Sequence, residues 1–166
     1  MEITFEVKNS TGIITLNRPK ALNALNLNMA IQFSDKLKEW ESDNKIERVL
    51  LLGEGKHFCA GGDVKSVHLS GPFSKLKQEF FSKEYSLNLQ IKNFPKPYLS
   101  IWKGVVMGGG VGLSIYGDYR IATDSTKFAM PETSIGFFPD VGGSFFLAKL
   151  ENNLGKYLGL TGEIVQ

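Results

Sequence analysis

Cysteine is nearly absent from this 166-residue chain. The single Cys59 excludes an internal disulfide and fits a reducing compartment, cytoplasmic or mitochondrial matrix. Excess charge of one sign is also lacking: 19 basic and 17 acidic residues leave a net charge of +2. That near-balance gives no electrostatic case for a nucleic-acid partner or a membrane surface. No apolar run approaches the roughly 18–20 residues of a membrane span. Histidine is sparse, and His57 and His68 have no acidic or cysteine cluster at ligand spacing, which argues against a metal site. The N-terminal Met-Glu-Ile-Thr-Phe-Glu-Val alternates like a strand, so no targeting segment is visible. No long linker, repeat or low-complexity tract interrupts the chain, and residues 1–166 read as one domain or part of one.

What is present is an apolar fraction of 42% with twelve phenylalanines, enough for a substantial core. Glu2 to Lys8 and Gly12 to Leu16 alternate around Asn9-Ser10-Thr11-Gly12, predicting a β-hairpin. From Asn28 to about Asp43, the set Ala30, Phe33, Leu37 and Trp40 repeats at helical spacing. Arg48 to Leu52 reads as a buried strand, so a right-handed strand–helix–strand crossover is expected. A turn-rich segment runs from Gly53 to Asp63. Ser74 to Asn93 reads as a helix stopped by Pro95 and Pro97. Tyr98 to Trp102 is a further buried strand, a short helix follows the glycine run after Met107, and Tyr119 to Ala122 and Lys127 to Met130 are strand-like. A last helix is expected from Asn153 to Leu160.

Two glycine turns and three acids stand out. Met107-Gly108-Gly109-Gly110-Val111-Gly112 lets a reactive group approach main-chain N–H donors with no Cβ in the way. It fails the dinucleotide fingerprint, with Leu113 or Ile115 where the third glycine belongs, and lacks the Gly-Lys-Ser/Thr ending of a phosphate loop. Alone, it reads equally as an anion-binding turn or a tight strand-to-helix junction. Cys59-Ala60-Gly61-Gly62-Asp63 also follows a strand; taken alone it is an ordinary turn, but two such strand ends could deliver two N–H groups to one oxyanion. Cys59 itself is read as packing. Glu84 falls on the apolar stripe Leu76, Phe80, Leu87, Ile91, where a carboxylate is costly unless paired or used. Its alternative is a flank glutamate reaching solvent or a lysine. Glu132 and Asp140 each follow a proline among apolar residues, surroundings that raise a carboxyl pKa and suit proton transfer. Asp140 reads equally well as the N-cap of a helix over Val141 to Leu147.

These motifs resemble the crotonase (enoyl-CoA hydratase/isomerase) superfamily over essentially the whole chain. The matching stretches are Leu16-Asn17-Arg18-Pro19 with Leu22-Asn23-Ala24-Leu25, Phe58 to Asp63, Met107 to Leu113, and Phe128 to Thr133 continuing through Gly136 to Gly143. Within the superfamily, the pattern is most similar to the branch that hydrolyses 3-hydroxyisobutyryl-CoA. The resemblance implies an α/β fold: a ββα spiral with two roughly perpendicular sheets and flanking helices. This chain would be the N-terminal part of a longer one that adds C-terminal helices. It implies an oxyanion hole from the N–H groups of Gly62 and Gly109. A coenzyme A site would be lined by Lys20, Ala21, Leu22, Ala60 and Gly61. Substrate contacts would come from Glu84, Gly109, Glu132 and Asp140, with Glu132 and Asp140 catalytic. Hydratases of the superfamily carry a glutamate at the position of Gly112, so its absence here favours thioester hydrolysis, in the manner of valine degradation, over hydration. The alternatives are an enoyl-CoA hydratase or isomerase, and a non-catalytic structural subunit of a larger assembly. No cofactor is expected, coenzyme A being part of the substrate. The expected partners are an acyl-CoA, and a homo-oligomer or a complementing C-terminal fragment.

Overall fold

The computed structural model describes Met1–Gln166 as two sheets and six helices. Strands β1 (Ile3–Lys8) and β2 (Thr11–Leu16) form the expected antiparallel hairpin, with Asn9 and Ser10 both at positive φ in the turn. Helix α1 (Leu27–Ser42) carries the chain across to β3 (Arg48–Gly53), which pairs with β2 in parallel. Asn26 starts α1 by accepting the Met29 N–H at 2.9 Å, and Met29, Ala30, Phe33, Leu37 and Trp40 turn one stripe into the core.

Helix α2 (Val64–Leu69) follows the second glycine turn and was not read from the sequence. Its signal was Asp63, whose carboxylate accepts the Ser66 N–H at 3.1 Å as an N-cap. Helix α3 (Leu76–Lys92) lies against α1 and leads to β4 (Tyr98–Trp102). Next come β5 (Val105–Met107), the single-turn α4 (Gly109–Gly112), β6 (Tyr119–Ala122) and β7 (Lys127–Ala129). The larger sheet runs β1-β2-β3-β4-β6, parallel from β2 onward; β5 and β7 form a separate parallel pair. A 3-10 turn (Pro131–Ile135), α5 (Gly143–Leu147) and α6 (Leu154–Thr161) close the chain.

One expectation is corrected. Asp140 does not cap a helix over Val141 to Leu147: α5 begins only at Gly143, its N-cap is Gly142, and the Asp140 carboxylate turns away to accept the Tyr85 hydroxyl at 2.8 Å. The intervening Val141 sits at φ 44, a backbone no helix can start through and one that a β-branched residue rarely adopts.

A buried cluster of 25 apolar residues fills the space between the larger sheet and α1 and α3 and continues to α4 and α6. The carboxyl end of β5 opens onto this core at Gly108–Gly109, and that junction positions everything below.

Candidate active site

The two glycine turns meet because their approach segments run side by side. The Cys59 N–H donates to Val105 O at 3.0 Å and the Met107 N–H to Cys59 O at 3.0 Å, a parallel pairing of residue 59 with β5. Parallel neighbours deliver their next residues to the same end. The segment after Cys59 and the segment after Met107 therefore turn together. A Cβ placed on Gly61 would lie 3.3 Å from the Gly109 nitrogen, and one on Gly109 would lie 3.1 Å from the Gly62 nitrogen. Neither the Gly62 nor the Gly109 N–H donates to any backbone acceptor. Buried amides are nearly always paired, so two free donors side by side form a ready place for a carbonyl oxygen. Gly108, at φ 50 and ψ −123, makes the sharp turn that frees the Gly109 amide, a conformation only glycine adopts easily.

Three carboxyls surround this pair of amides. Glu84 projects from α3 and is 2% exposed. Its Oε1 would collide with a Cβ on Gly109, and it has no hydrogen-bond partner. Glu132, in the Pro131–Ile135 turn, lies on the other flank, its Oε1 2.9 Å from the position of a Cβ on Gly108 and its Oε2 buried and unpaired. Asp140 is held by Tyr85, one residue beyond Glu84. Burial raises all three pKa values. Glu84 is pushed up to about 8 by burial and then by the charges of Asp140 and Glu132. Glu132 is pushed up to about 7 by burial and by Asp140. Burial raises Asp140 as well, opposed by the Tyr85 hydroxyl that it accepts. At neutral pH, Glu84 is thus a neutral acid that does not repel an anion at the adjacent amides, while Glu132 stands near its midpoint, able to act as base or nucleophile.

The backbone at Asp140 is pinned. Tyr116 donates its hydroxyl to Val141 O at 2.7 Å, and the Gly143 N–H donates to Asp140 O at 2.6 Å. This network stabilises the strained Val141 conformation beside the Asp140 carboxyl. A cavity of about 790 Å³ opens past Asp140, with Tyr85, Asn88, Phe138 and Val141 in its wall. Of the three carboxyls, Asp140 lines this cavity, and Glu84, Glu132 and the two amides do not.

The loop expected to hold coenzyme A borders the same amides. Leu22 O accepts the Ala60 N–H at 3.0 Å, and Leu25 pairs with Gly61 O and the Asp63 N–H at 2.8 Å each. Lys20, Ala21 and Leu22 form or end a 3-10 turn (Pro19–Ala21), with Lys20 and Leu22 exposed. Ala60 and Gly61 lie beside it. Asn23, fully buried, fixes the loop by accepting the Arg18 N–H and donating to Glu54 O and His57 O at 2.7–2.9 Å. Cys59 is buried, and burial pushes its thiol up to about 12, so it is packing and not a nucleophile at neutral pH.

The structure brings Gly61, Gly62, Gly109, Glu84 and Glu132 together, sets Asp140 beside them through Tyr85, and joins the Lys20–Leu22 loop to Ala60 through one backbone hydrogen bond. Tyr85, Tyr116 and Asn88 were missed. Asn88 carried a signal: it lies four residues after Glu84, on the same inward face of α3. The two tyrosines act through contacts 25 to 55 residues away along the chain, which no local pattern reveals.

No helix is long and apolar enough to cross a membrane, and no group of three or more His, Cys, Asp or Glu could hold a metal. Known proteins match the chain over nearly its whole length. The chain is 51% identical to a zebrafish (Danio rerio) protein named mitochondrial 3-hydroxyisobutyryl-CoA hydrolase and 49% identical to its Homo sapiens counterpart, in both cases over 97% of this chain. It spans 43% and 42% of their lengths. Among solved structures, it superposes on a carnitinyl-CoA dehydratase from Mycobacterium thermoresistibile with a TM-score of 0.95 and 44% identity, over 98% of this chain and 48% of that one. An enoyl-CoA hydratase from Rhodobacter sphaeroides matches with a TM-score of 0.95 and 39% identity, over 99% of this chain and 50% of that one. The enoyl-CoA hydratase/isomerase family model matches residues 11–166, and the chain belongs to the enoyl-CoA hydratase/isomerase (crotonase) family.

Proposed function

We propose that this chain forms the thioester-binding core of an acyl-CoA hydrolase acting on a short branched 3-hydroxyacyl-CoA of the 3-hydroxyisobutyryl-CoA type, releasing the free acid and coenzyme A. The observation that carries this reading is the pair of unbonded N–H groups at Gly62 and Gly109 beside Glu132. Names of relatives at about half identity support the substrate class. Their mitochondrial setting belongs to the same proposal.

In this mechanism the thioester oxygen accepts from both amides, which stabilise the charge that develops as the carbonyl is attacked; one such donor contributes about 3–4 kcal/mol. Glu132 either adds to the carbonyl carbon, expelling coenzyme A as its thiolate and leaving a mixed anhydride that water opens, or takes a proton from a water that adds directly. Asp140 holds its charge on the Tyr85 hydroxyl and keeps the Glu132 pKa high; in the direct route the departing thiolate takes from Glu132 the proton that came off the attacking water, and in the anhydride route it takes its proton from solvent. The coenzyme A portion lies along Lys20, Ala21 and Leu22 with Ala60 and Gly61.

The names of the solved relatives favour a second reading, hydration of an enoyl-CoA. That reaction in this family uses a glutamate at the position of Gly112. A Cβ there would lie 2.7 Å from Val141 Cβ and 3.1 Å from Asn88 Nδ2, so the space is filled by other side chains. Thiol release from a panel of coenzyme A thioesters separates the two: release from 3-hydroxyisobutyryl-CoA supports hydrolysis, and water addition to an enoyl-CoA without thiol release supports hydration. A single turnover in heavy-oxygen water then distinguishes the routes, since label recovered in the Glu132 carboxylate requires the anhydride.

A further inference from the structure

Asn88 is 5% exposed, and neither its Nδ2 nor its Oδ1 has a hydrogen-bond partner. A buried amide with both ends unpaired is strongly unfavourable. Nothing in the fold compensates it: the side chain lies on the inward face of α3, one turn beyond Glu84, and reaches the wall of the cavity that opens past Asp140. It stands over Gly112, with Nδ2 3.1 Å from the position of a Cβ there, while Glu84 Oε1 stands over Gly109 at the other end of the same helical turn. The step from Gly109 to Gly112 is about 4.5 Å along α4. A hydroxyl oxygen on the third acyl carbon is three bonds of roughly 1.5 Å from the carbonyl carbon. A thioester oxygen seated on the Gly62 and Gly109 amides therefore directs such a hydroxyl toward Asn88.

We propose that Asn88 is the residue that recognises the 3-hydroxyl of the acyl group, donating from Nδ2 to the hydroxyl oxygen and accepting its proton at Oδ1. An amide suits this task because it offers a donor and an acceptor together and does not titrate. Glu84, neutral beside the thioester, is left to the carbonyl end. The inference rests on the acyl-CoA reading of the site and adds to it the residue that discriminates a 3-hydroxyacyl chain from its deoxy counterpart. A site built to pair a hydroxyl rejects the analogue lacking it, because the amide then stays buried and unpaired.

The test is binding of two uncleavable ketone analogues, in which methylene replaces the thioester sulfur: one of 3-hydroxyisobutyryl-CoA and one of isobutyryl-CoA. Each is titrated calorimetrically into the wild-type chain, Asn88→Leu and Asn88→Ala, with a melting curve for each protein. The wild type should prefer the hydroxylated analogue by about tenfold or more, and both variants should bring that ratio close to one. Asn88→Leu should melt no lower than wild type, since a same-sized apolar side chain removes an unpaired amide. If it fails to fold, Asn88 is a structural residue and the proposal falls. Wild-type indifference to the hydroxyl overturns it, as does an unchanged ratio in either variant. Hydroxyl preference lost in the variants, in a protein that releases no thiol from the true thioester, upholds the role of Asn88 and removes only the hydrolytic reading. Failure to bind either analogue removes both.

Discussion

The side of the site proposed for coenzyme A and the side proposed for the acyl group are built on opposite terms. On the first, polar groups are satisfied. Asn23 makes three hydrogen bonds, and the Arg18 guanidinium reaches Ala24 O at 2.7 Å and Glu2 and Asp63 at 3.0 Å each. Burial opposes the charge on Asp63, but the Ser66 N–H and Arg18 outweigh it and hold the carboxyl below its ordinary value. On the acyl side, Glu84 Oε1, Glu132 Oε2 and both amide atoms of Asn88 are buried without partners, two main-chain N–H groups are free, and Val141 is strained. Saturated networks hold a loop in place. Unsaturated ones call for an explanation, which the proposed substrate supplies. Substitutions on the two sides should therefore fail differently.

The largest effect is expected at Glu132. Glu132→Gln should lower thiol release by about a thousandfold or more while melting at or above the wild-type temperature, because a buried ionisable group has been neutralised. In the wild type, kcat/KM should rise with pH through about 7 as Glu132 ionises, with burial and then the Asp140 charge setting that value. Near-normal turnover in the variant would remove Glu132 from the chemistry.

Gly109→Ala should come next, with a loss of about a hundredfold to a thousandfold in kcat. Its Cβ would strike Glu84 and crowd the Gly62 nitrogen at 3.1 Å, closing the place proposed for the thioester oxygen. A loss confined to KM would mean that the amides bind substrate without favouring its transition state.

Asn23→Ala should do the reverse of both. It strands the Arg18 N–H, Glu54 O and His57 O in a buried loop and should lower stability by about 3 kcal/mol in urea unfolding. Turnover per folded molecule should fall far less. Equal damage to stability and turnover would erase the contrast between the two sides.

The smallest effect concerns pH and Glu84. With its pKa at about 8 in the folded chain and 4.5 as its ordinary value, the native carboxyl keeps a proton that the unfolded one has released. Stability from this group is therefore present below about 4.5 and is lost as pH rises toward 8. Melting temperature should fall by several degrees across that window, and Glu84→Gln should flatten the slope. A wild-type curve that rises with pH there would show Glu84 ionised in the folded chain.

Much of the architecture was legible because apolar spacing is a local signal. The α1 stripe, the buried runs of β3 and β4 and the prolines after α3 placed those elements to within about two residues. Glu84 was legible for the same reason, as a charge where the stripe wanted a hydrocarbon. Short elements were not: α2 has six residues, too few for Val64 and Val67 to establish a period, and its clearest cue was Asp63. The helix expected directly after Asp140 failed because Val141 adopts a positive φ that only the distant Tyr116 hydroxyl explains. The convergence of the two glycine turns likewise depends on parallel pairing between residue 59 and β5, a contact across more than forty residues.

The most direct measurement is the infrared stretch of the thioester carbonyl in a bound 3-hydroxyacyl-CoA, isolated by a carbon-13 label at the carbonyl and recorded with Glu132→Gln so that it persists. Two N–H donors on one oxygen should move the band below its position in water, and Gly109→Ala should return it. A bound carbonyl that absorbs where it does in water would mean that the Gly62 and Gly109 amides do not share one oxygen, contradicting the account.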